Sequence, residues 1–397
     1  MKLKYCILLL MFLTITSSVL LSCDDDETVY YSGKDADIKF LPFTSYRSFY
    51  ACDNKCIVTR AKQGENKDLK YYLVKVGVDG TIDSTFYTFS EAEDITSSDG
   101  DMYFNSSNQL FLVNKDYTTN SFTIFRYDAA DFSQRKTMTF CLPDEFNNPG
   151  STPLDDGGYA FLAQKMSFED GTSEWFLYRL DADGNEREPM PLYLNVEDVR
   201  MIYSFGNSLI VYRSNWSEHL NIFSFYTFEG KFLNEVIIPY SGMETHKLHF
   251  VNNSLYLSIG DYVDGKKYNT FYRLDYEGNV LQKTPTMMFY DYECITEIDG
   301  RIYVAGQKNR SHEGKGSADD GIVYSIDRDN FEDIDSIKMK YKDVIPLAVM
   351  PDQKEGYNVF LIRRYNYTDE MVNDVTYNNI YIYHTDDLHN LQIDDQQ

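Results

Sequence analysis

Histidine, cysteine and tryptophan are all scarce in this chain, at six, six and two of 397 residues. The motifs built on catalytic and phosphate-binding residues are missing too. There is no G-x-G-x-x-G turn for a dinucleotide, no Walker A loop for a nucleoside triphosphate, no H-E-x-x-H for zinc and no G-x-S-x-G nucleophile elbow. His246 and His249 stand three apart, and on a strand an odd spacing sends side chains to opposite faces, so they do not share a metal. No metal and no cofactor is expected. Basic residues are also few. Lys and Arg number 37 against 62 Asp and Glu, a net charge of −25, which argues against nucleic acid as a partner. Helical periodicity is lacking: nothing longer than 12 residues repeats its apolar positions at three and four.

What the chain has instead is a repeat. A short apolar strand, a tight Gly/Asn turn, a second apolar strand, a longer polar loop and an aromatic strand follow one another, closed by an Asp/Gly turn. The closing turns fall at Gly80, Asp131, Gly184, Gly230, Gly278, Asn330 and Asp387. A strand-only period of roughly 50 residues is that of a β-propeller blade. The expected fold is therefore all-β: a propeller of seven four-stranded blades, with six or eight as the alternatives. Ala36–Phe43 reads as a further strand that closes the ring onto blade seven, which lacks an outer strand of its own. The segment 156–185 (DGGYAFLAQKMSFEDGTSEWFLYRLDADGN) resembles the D-G-G-Y … L-D-x-D-G-N repeats of bacterial surface propellers. Neither tryptophan stands where a WD40 repeat needs one. The Asp-Gly turns look calcium-like but lack further oxygen ligands, and Asp with Gly is what a tight strand turn requires.

The first residues form an address. Lys2 and Lys4 precede an apolar run from Tyr5 to Leu21, and the run ends Leu20-Leu21-Ser22-Cys23. This resembles the lipobox of bacterial lipoproteins, which implies cleavage after residue 22 and lipidation, such as palmitate, on Cys23. Asp24-Asp25-Asp26-Glu27 then resembles the surface-export signal of Bacteroidota lipoproteins. The resemblance implies a lipid-anchored protein of the outer membrane that faces the exterior. The resulting organisation is a signal peptide over 1–22, an acidic tether over 23–35 and a single propeller domain over 36–397. In such an oxidising compartment Cys52 and Cys56, which flank a hairpin turn, are candidates for a disulfide. Cys141 and Cys294 read as buried apolar residues.

The candidate ligand site comes from the loops. Connections between second and third strands are longer than the rest, and in a propeller they share one face. They carry Trp216, His219, Arg310, His312, Tyr365 and Tyr367. The exits of six second strands hold a basic residue: Arg60 with Lys62, Lys115, Lys165, Arg213, Lys308, and Arg363 with Arg364. Blade five has Asp261 instead. A basic ring on an acidic protein is a candidate mouth for anions, and flat aromatics suit the apolar faces of sugars. The expected function is therefore a non-enzymatic one, binding or scaffolding with an extracellular glycan or an envelope protein partner. The alternative is a carbohydrate-active lyase or hydrolase working at the channel mouth.

Overall fold

The computed structural model describes residues 45–390, except 53, 64–69, 88–100, 106, 117, 130, 133–134, 167–172, 193, 195–198, 241–244, 252–253, 265, 290, 308–320, 340–343, 353–355 and 365–376. Its strands fall into seven antiparallel sheets arranged as a seven-bladed propeller. Blade one is β1 (Ser45–Cys52), β2 (Cys56–Gln63), β3 (Lys70–Gly77) and β4 (Ile82–Tyr87). Blade two is β5 (Asp101–Phe104), β6 (Gln109–Asp116), β7 (Ser121–Asp128) and β8 (Arg135–Cys141). Blade three is β9 (Phe146–Pro153), β10 (Tyr159–Met166), β11 (Ser173–Leu180) and β12 (Glu186–Leu192). Blade four is β13 (Val199–Phe205), β14 (Ser208–Asn215), β15 (Leu220–Thr227) and β16 (Phe232–Pro239). Blade five is β17 (Thr245–Val251), β18 (Ser254–Val263), β19 (Lys266–Leu274) and β20 (Val280–Lys283), with the two-residue β21 (Met287–Met288) also paired on β19. Blade six is β22 (Asp291–Ile298), β23 (Arg301–Gln307), β24 (Gly321–Asp327) and β25 (Ile334–Lys338). Blade seven is β26 (Val344–Pro351), β27 (Tyr357–Arg364) and β28 (Tyr377–Thr385), three strands among the described residues. The segment Ala36–Phe43, expected to complete it, lies outside those residues.

Antiparallel order divides the connections between two faces. Turns joining first to second and third to fourth strands lie on one side, the turn face. Connections joining second to third strands, and blade to blade, lie on the other, the loop face. The Asp/Gly turns work by backbone geometry. Gly184 and Gly278 have φ of 81° and 83°, a region that suits glycine. Asp181 Oδ1 accepts the backbone N–H groups of Asp183 and Asn185 at 2.9 Å each. Asp275 does the same with Glu277 and Asn279, at 3.0 and 2.8 Å. These carboxylates are occupied in capping their own turns, and no metal cluster exists among the described residues. In blade two the left-handed position is Phe132 (φ 56°) rather than Asp131.

Seven apolar clusters hold the ring, each spanning adjacent blades. Between blades two and three, Phe111 and Ile124 meet Phe161 and Tyr159. Between four and five, Phe223 and Phe225 meet Leu255 and Leu257. Each such side chain contributes about 1.5–3 kcal/mol when fully buried, so the blades stabilise one another rather than themselves. Polar side chains cross the same junctions. Arg126 Nη1 on β7 donates to the carbonyls of Gly157 (2.6 Å) and Ala182 (3.1 Å) in blade three. Arg273 Nη1 on β19 reaches the Arg328 carbonyl of blade six at 3.2 Å.

Closure differs from the other junctions. β26 is buried along nearly its whole length, Val344 to Met350. This suits its apolar sequence on both faces. β1 packs beyond it against blade six: Cys294 Sγ donates to the Phe49 carbonyl (3.5 Å), and Asn54 Nδ2 donates to the Glu297 carbonyl (2.6 Å). Blades one, six and seven thus share one core, with Phe49, Cys294, Ile345 and Leu347.

The cysteines divide. Cys294 is buried as expected, but Cys141 is exposed. On β8 the buried residues are Met138 and Phe140, so alternation turns Cys141 outward. Cys52 and Cys56 face each other directly in the β1–β2 register. The structure carries them as buried thiols, with Cys52 Sγ 3.8 Å from Asn108 Oδ1.

Candidate functional site on the loop face

Basic residues do stand near the ends of the second strands, but within the strands rather than in loops, and they do not share one direction. Lys115 lies on the same face of its blade as Phe111 and Val113, towards blade three. Lys165 lies with Phe161 and Ala163, towards blade two. Both therefore edge a single junction. Lys115 Nζ stands 5.3 Å from the Phe122 ring centroid, and Lys165 Nζ 5.7 Å from that of Phe146. Ring contacts run between them through Phe140 and Tyr178. Desolvation pushes the Lys115 ammonium pKa down. The 3.0 Å hydrogen bond from Lys165 to Glu145, reinforced by the carboxylate charge, raises that of Lys165.

Arg213 lies with Leu209 and Val211, towards blade three. Its Nη2 donates to Glu235 Oε2, which also accepts from Ser224 Oγ at 2.8 Å. The Arg213 side chain is only 14% exposed, and its guanidinium is committed to that carboxylate. Arg60 is in mid-strand on β2, opposite Leu73, on the side of Val58 and the junction with blade two. Arg363 and Arg364 are the last residues of β27, and their side chains lie outside the described residues, as do Lys308, Arg310, His312, Tyr365, Tyr367 and Cys23. Among described positions the bases are separate junction contacts rather than a ring.

The aromatic half of the expectation is better served, on blade four. β14 ends at Asn215, whose Oδ1 accepts from Ser217 Oγ (2.8 Å) and the Glu218 N–H (3.2 Å). This side-chain cap fixes a four-residue turn, Trp216 to His219, that closes with His219 at φ 56°. The Tyr240 N–H donates to the His219 carbonyl at 2.9 Å, tying the turn to the chain leaving β16. Trp216 is thereby held outward, 52% exposed. Tyr240 lies beneath it, its ring edge-on to Trp216 at 6.4 Å and to His219 at 5.6 Å. The Tyr240 hydroxyl is buried with no hydrogen-bond partner among the described residues, a state that costs about 1–3 kcal/mol.

Arg200 completes this shelf. Five first strands change register against their second strands, and on β13 the change falls between Val199 and Met201. Arg200 is the bulged residue. The bulge exposes Arg200 and Met201 side by side, where strict alternation would expose one. The Arg200 guanidinium lies 5.8 Å from the Trp216 ring centroid. Unlike Arg213 and Lys165, it has no carboxylate partner among the described residues. Sequence reasoning missed Arg200 because it is on a first strand. The signal was the three-residue spacing between apolar Val199 and Ile202, which breaks a period of two.

No family model and no curated protein sequence matches this chain. Solved structures similar to it are propellers of low identity. The acylaminoacyl peptidase of Pyrococcus horikoshii aligns at 9% identity and a TM-score of 0.46, over 82% of this chain and 50% of that one. The β-propeller domain of the trilobed protease of Pyrococcus furiosus aligns at 9% identity and 0.43, over 82% and 91%. The Pan2 WD40 domain of Neurospora crassa aligns at 8% and 0.45, over 90% and 91%. The chain spans about half the length of the acylaminoacyl peptidases it matches.

Proposed function

We propose that this chain is a lipid-anchored propeller of the bacterial outer surface that binds an extracellular glycan on its loop face. The observation that carries the reading is the shelf of blade four: an exposed indole on a capped turn, backed by Tyr240 and His219. A flat, exposed aromatic on a rigid ring is a stacking platform for sugar rings, and connections on a rigid scaffold are where binding residues concentrate. The lipobox ending at Cys23 supports the anchor, and the acidic residues after it support the outward address. The acidic body suits a module held off an anionic surface.

A glycan array with purified chain 24–397 tests the binding, with Trp216→Ala as the comparison. Binding to at least one oligosaccharide class, reduced tenfold or more by the substitution, is the expected outcome. No binding to any glycan overturns it and leaves an envelope protein as the partner to seek. Cys23→Ser tests the anchor separately: continued incorporation of labelled fatty acid would refute lipidation.

A further inference from the structure

The four basic side chains described near the loop face of blades two to four differ in what occupies them. Lys165 is held by Glu145 and Arg213 by Glu235. Lys115 lies over the Phe122 ring. Arg200 is the exposed one of the four, and the partner it has among the described residues is the exposed Trp216 ring. In a chain of net charge −25 an exposed arginine with no carboxylate partner among the described residues is out of the ordinary. The bulge between Val199 and Met201 is what puts it there.

We infer that Arg200 is a specificity residue and that the blade-four shelf takes an anionic sugar, one bearing a carboxylate or a sulfate. The inference rests on the glycan reading above and sharpens it to a substrate class. The geometry supplies two kinds of contact at once. The outer face of Trp216 takes the apolar face of a sugar ring. The Arg200 fork, five N–H donors in one plane, takes two oxygens of an anionic substituent on that ring. The indole beside the guanidinium keeps water from part of it, so the pair is screened less than an open surface contact. Tyr240 backs the Trp216 ring edge-on, and the exposed His219 beside it offers its ring nitrogens to the sugar hydroxyls. A neutral sugar gains only the stacking contacts. The overall negative charge of the protein opposes any polyanion at long range, so recognition depends on this local group.

The test is calorimetric titration with three probes: a neutral oligoglucoside, an oligogalacturonate and a sulfated oligosaccharide of similar length. Native protein should favour at least one anionic probe over the neutral one by about tenfold, and the preference should shrink as NaCl rises from about 50 to 500 mM. Arg200→Gln should abolish the preference while neutral binding changes by less than about twofold. Arg200→Lys should retain part of it. Arg200 is exposed, so an unchanged melting curve separates this from unfolding. Preference for the uronate alone, or the sulfated probe alone, identifies the anion. If glycans bind and respond to Trp216→Ala, but Arg200→Gln leaves the anionic-to-neutral ratio unaltered, the inference is overturned and the glycan reading stands. If no probe binds, the anionic-sugar inference is overturned, and the glycan array decides the glycan reading.

Discussion

The two faces of the ring treat the same residue types differently. On the turn face, charged and polar groups are consumed in holding blades together. Arg126 reaches two carbonyls of the next blade, Lys136 pairs with Asp183 at 2.8 Å, and Asn234 meets Asn279 at 3.3 Å. On the loop face, Arg200 and Trp216 engage each other and solvent. The turn face repeats in blades one, three, four and five, where the same turn recurs with a left-handed glycine at Gly80, Gly184, Gly230 and Gly278. Among the described residues the blade-four shelf does not repeat. In a propeller, a residue type that recurs at equivalent positions answers a structural demand common to all blades, and a departure from the repeat is where a specific function can be placed. The basic residues at the second-strand exits recur in the sequence. The described ones that recur turned out to be junction contacts.

The largest effect tests the ring that both faces share. Three described outer strands place their final pair of core residues at 192/194, 238/240 and 337/339, and the next first strand begins five residues later, at 199, 245 and 344. Ile38 and Phe40 stand at the same distance before Ser45. Deleting 36–43 should therefore cost several kcal/mol, two apolar side chains at about 1.5–3 each, with aggregation from an uncovered edge. An unchanged melting temperature would show that this segment does not close the ring.

Next is a turn-face glycine. A Cβ at Gly278 would lie 2.4 Å from the buried ring of Phe225 in the neighbouring blade, at φ 83°. Gly278→Ala should lose about 2–4 kcal/mol in urea unfolding. Little change would mean that the turn face tolerates slack between blades. The comparison is sharpest with one substitution made on both faces. Arg126→Ala should cost about 1.5–3 kcal/mol, the value of hydrogen bonds from a charged donor. Arg200→Ala should stay within about 0.5 kcal/mol. Equal losses would erase the distinction between the faces.

The smallest effect appears only in alkali. Burial pushes the Tyr256 phenol up to about 12, with the charge of Glu297 adding to it. The folded state then keeps a proton that the unfolded chain releases near pH 10. The contribution is complete below pH 10 and lost as pH rises to 12, on the order of 2 kcal/mol. Unfolding free energy should fall across that window, and less steeply in Tyr256→Phe.

Much of the architecture is legible in the sequence because turn chemistry is local. A left-handed residue at Gly80, Gly184, Gly230 or Gly278 restricts the amino acid regardless of its surroundings. The facing of Cys52 and Cys56 was legible for the same reason, since a short hairpin sets its own register. Direction across a blade was not. A window of three positions at a strand exit mixes both faces, so Lys115 on the seventh residue of β6 and Arg213 on the sixth of β14 counted alike. One residue of register reverses a side chain. Partners were also hidden: nothing local to Arg213 announces Glu235, 22 residues on.

Most side-chain clamps between blades point one way round the ring, with Ser204 donating to the Pro153 carbonyl and Tyr324 to the Met288 carbonyl in the other direction. Tyr50 donates to the Met102 carbonyl, Asn105 to Leu154, Arg126 to Gly157, Ser208 to Tyr276, Gln282 to the Asp329 carbonyl, and Thr296 to Val349, each from an earlier blade to a later one. During synthesis the donor of each of these six clamps therefore emerges before its acceptor. At about 5–20 residues per second, the Arg126 side chain precedes the Gly157 carbonyl by on the order of seconds. A nascent blade presents its leading edge with donors still solvated, and it becomes rigid only when its successor arrives. Assembly on this scheme is vectorial, and the junction between last and first blades, which β1 reaches by packing on blade six, is settled at the end.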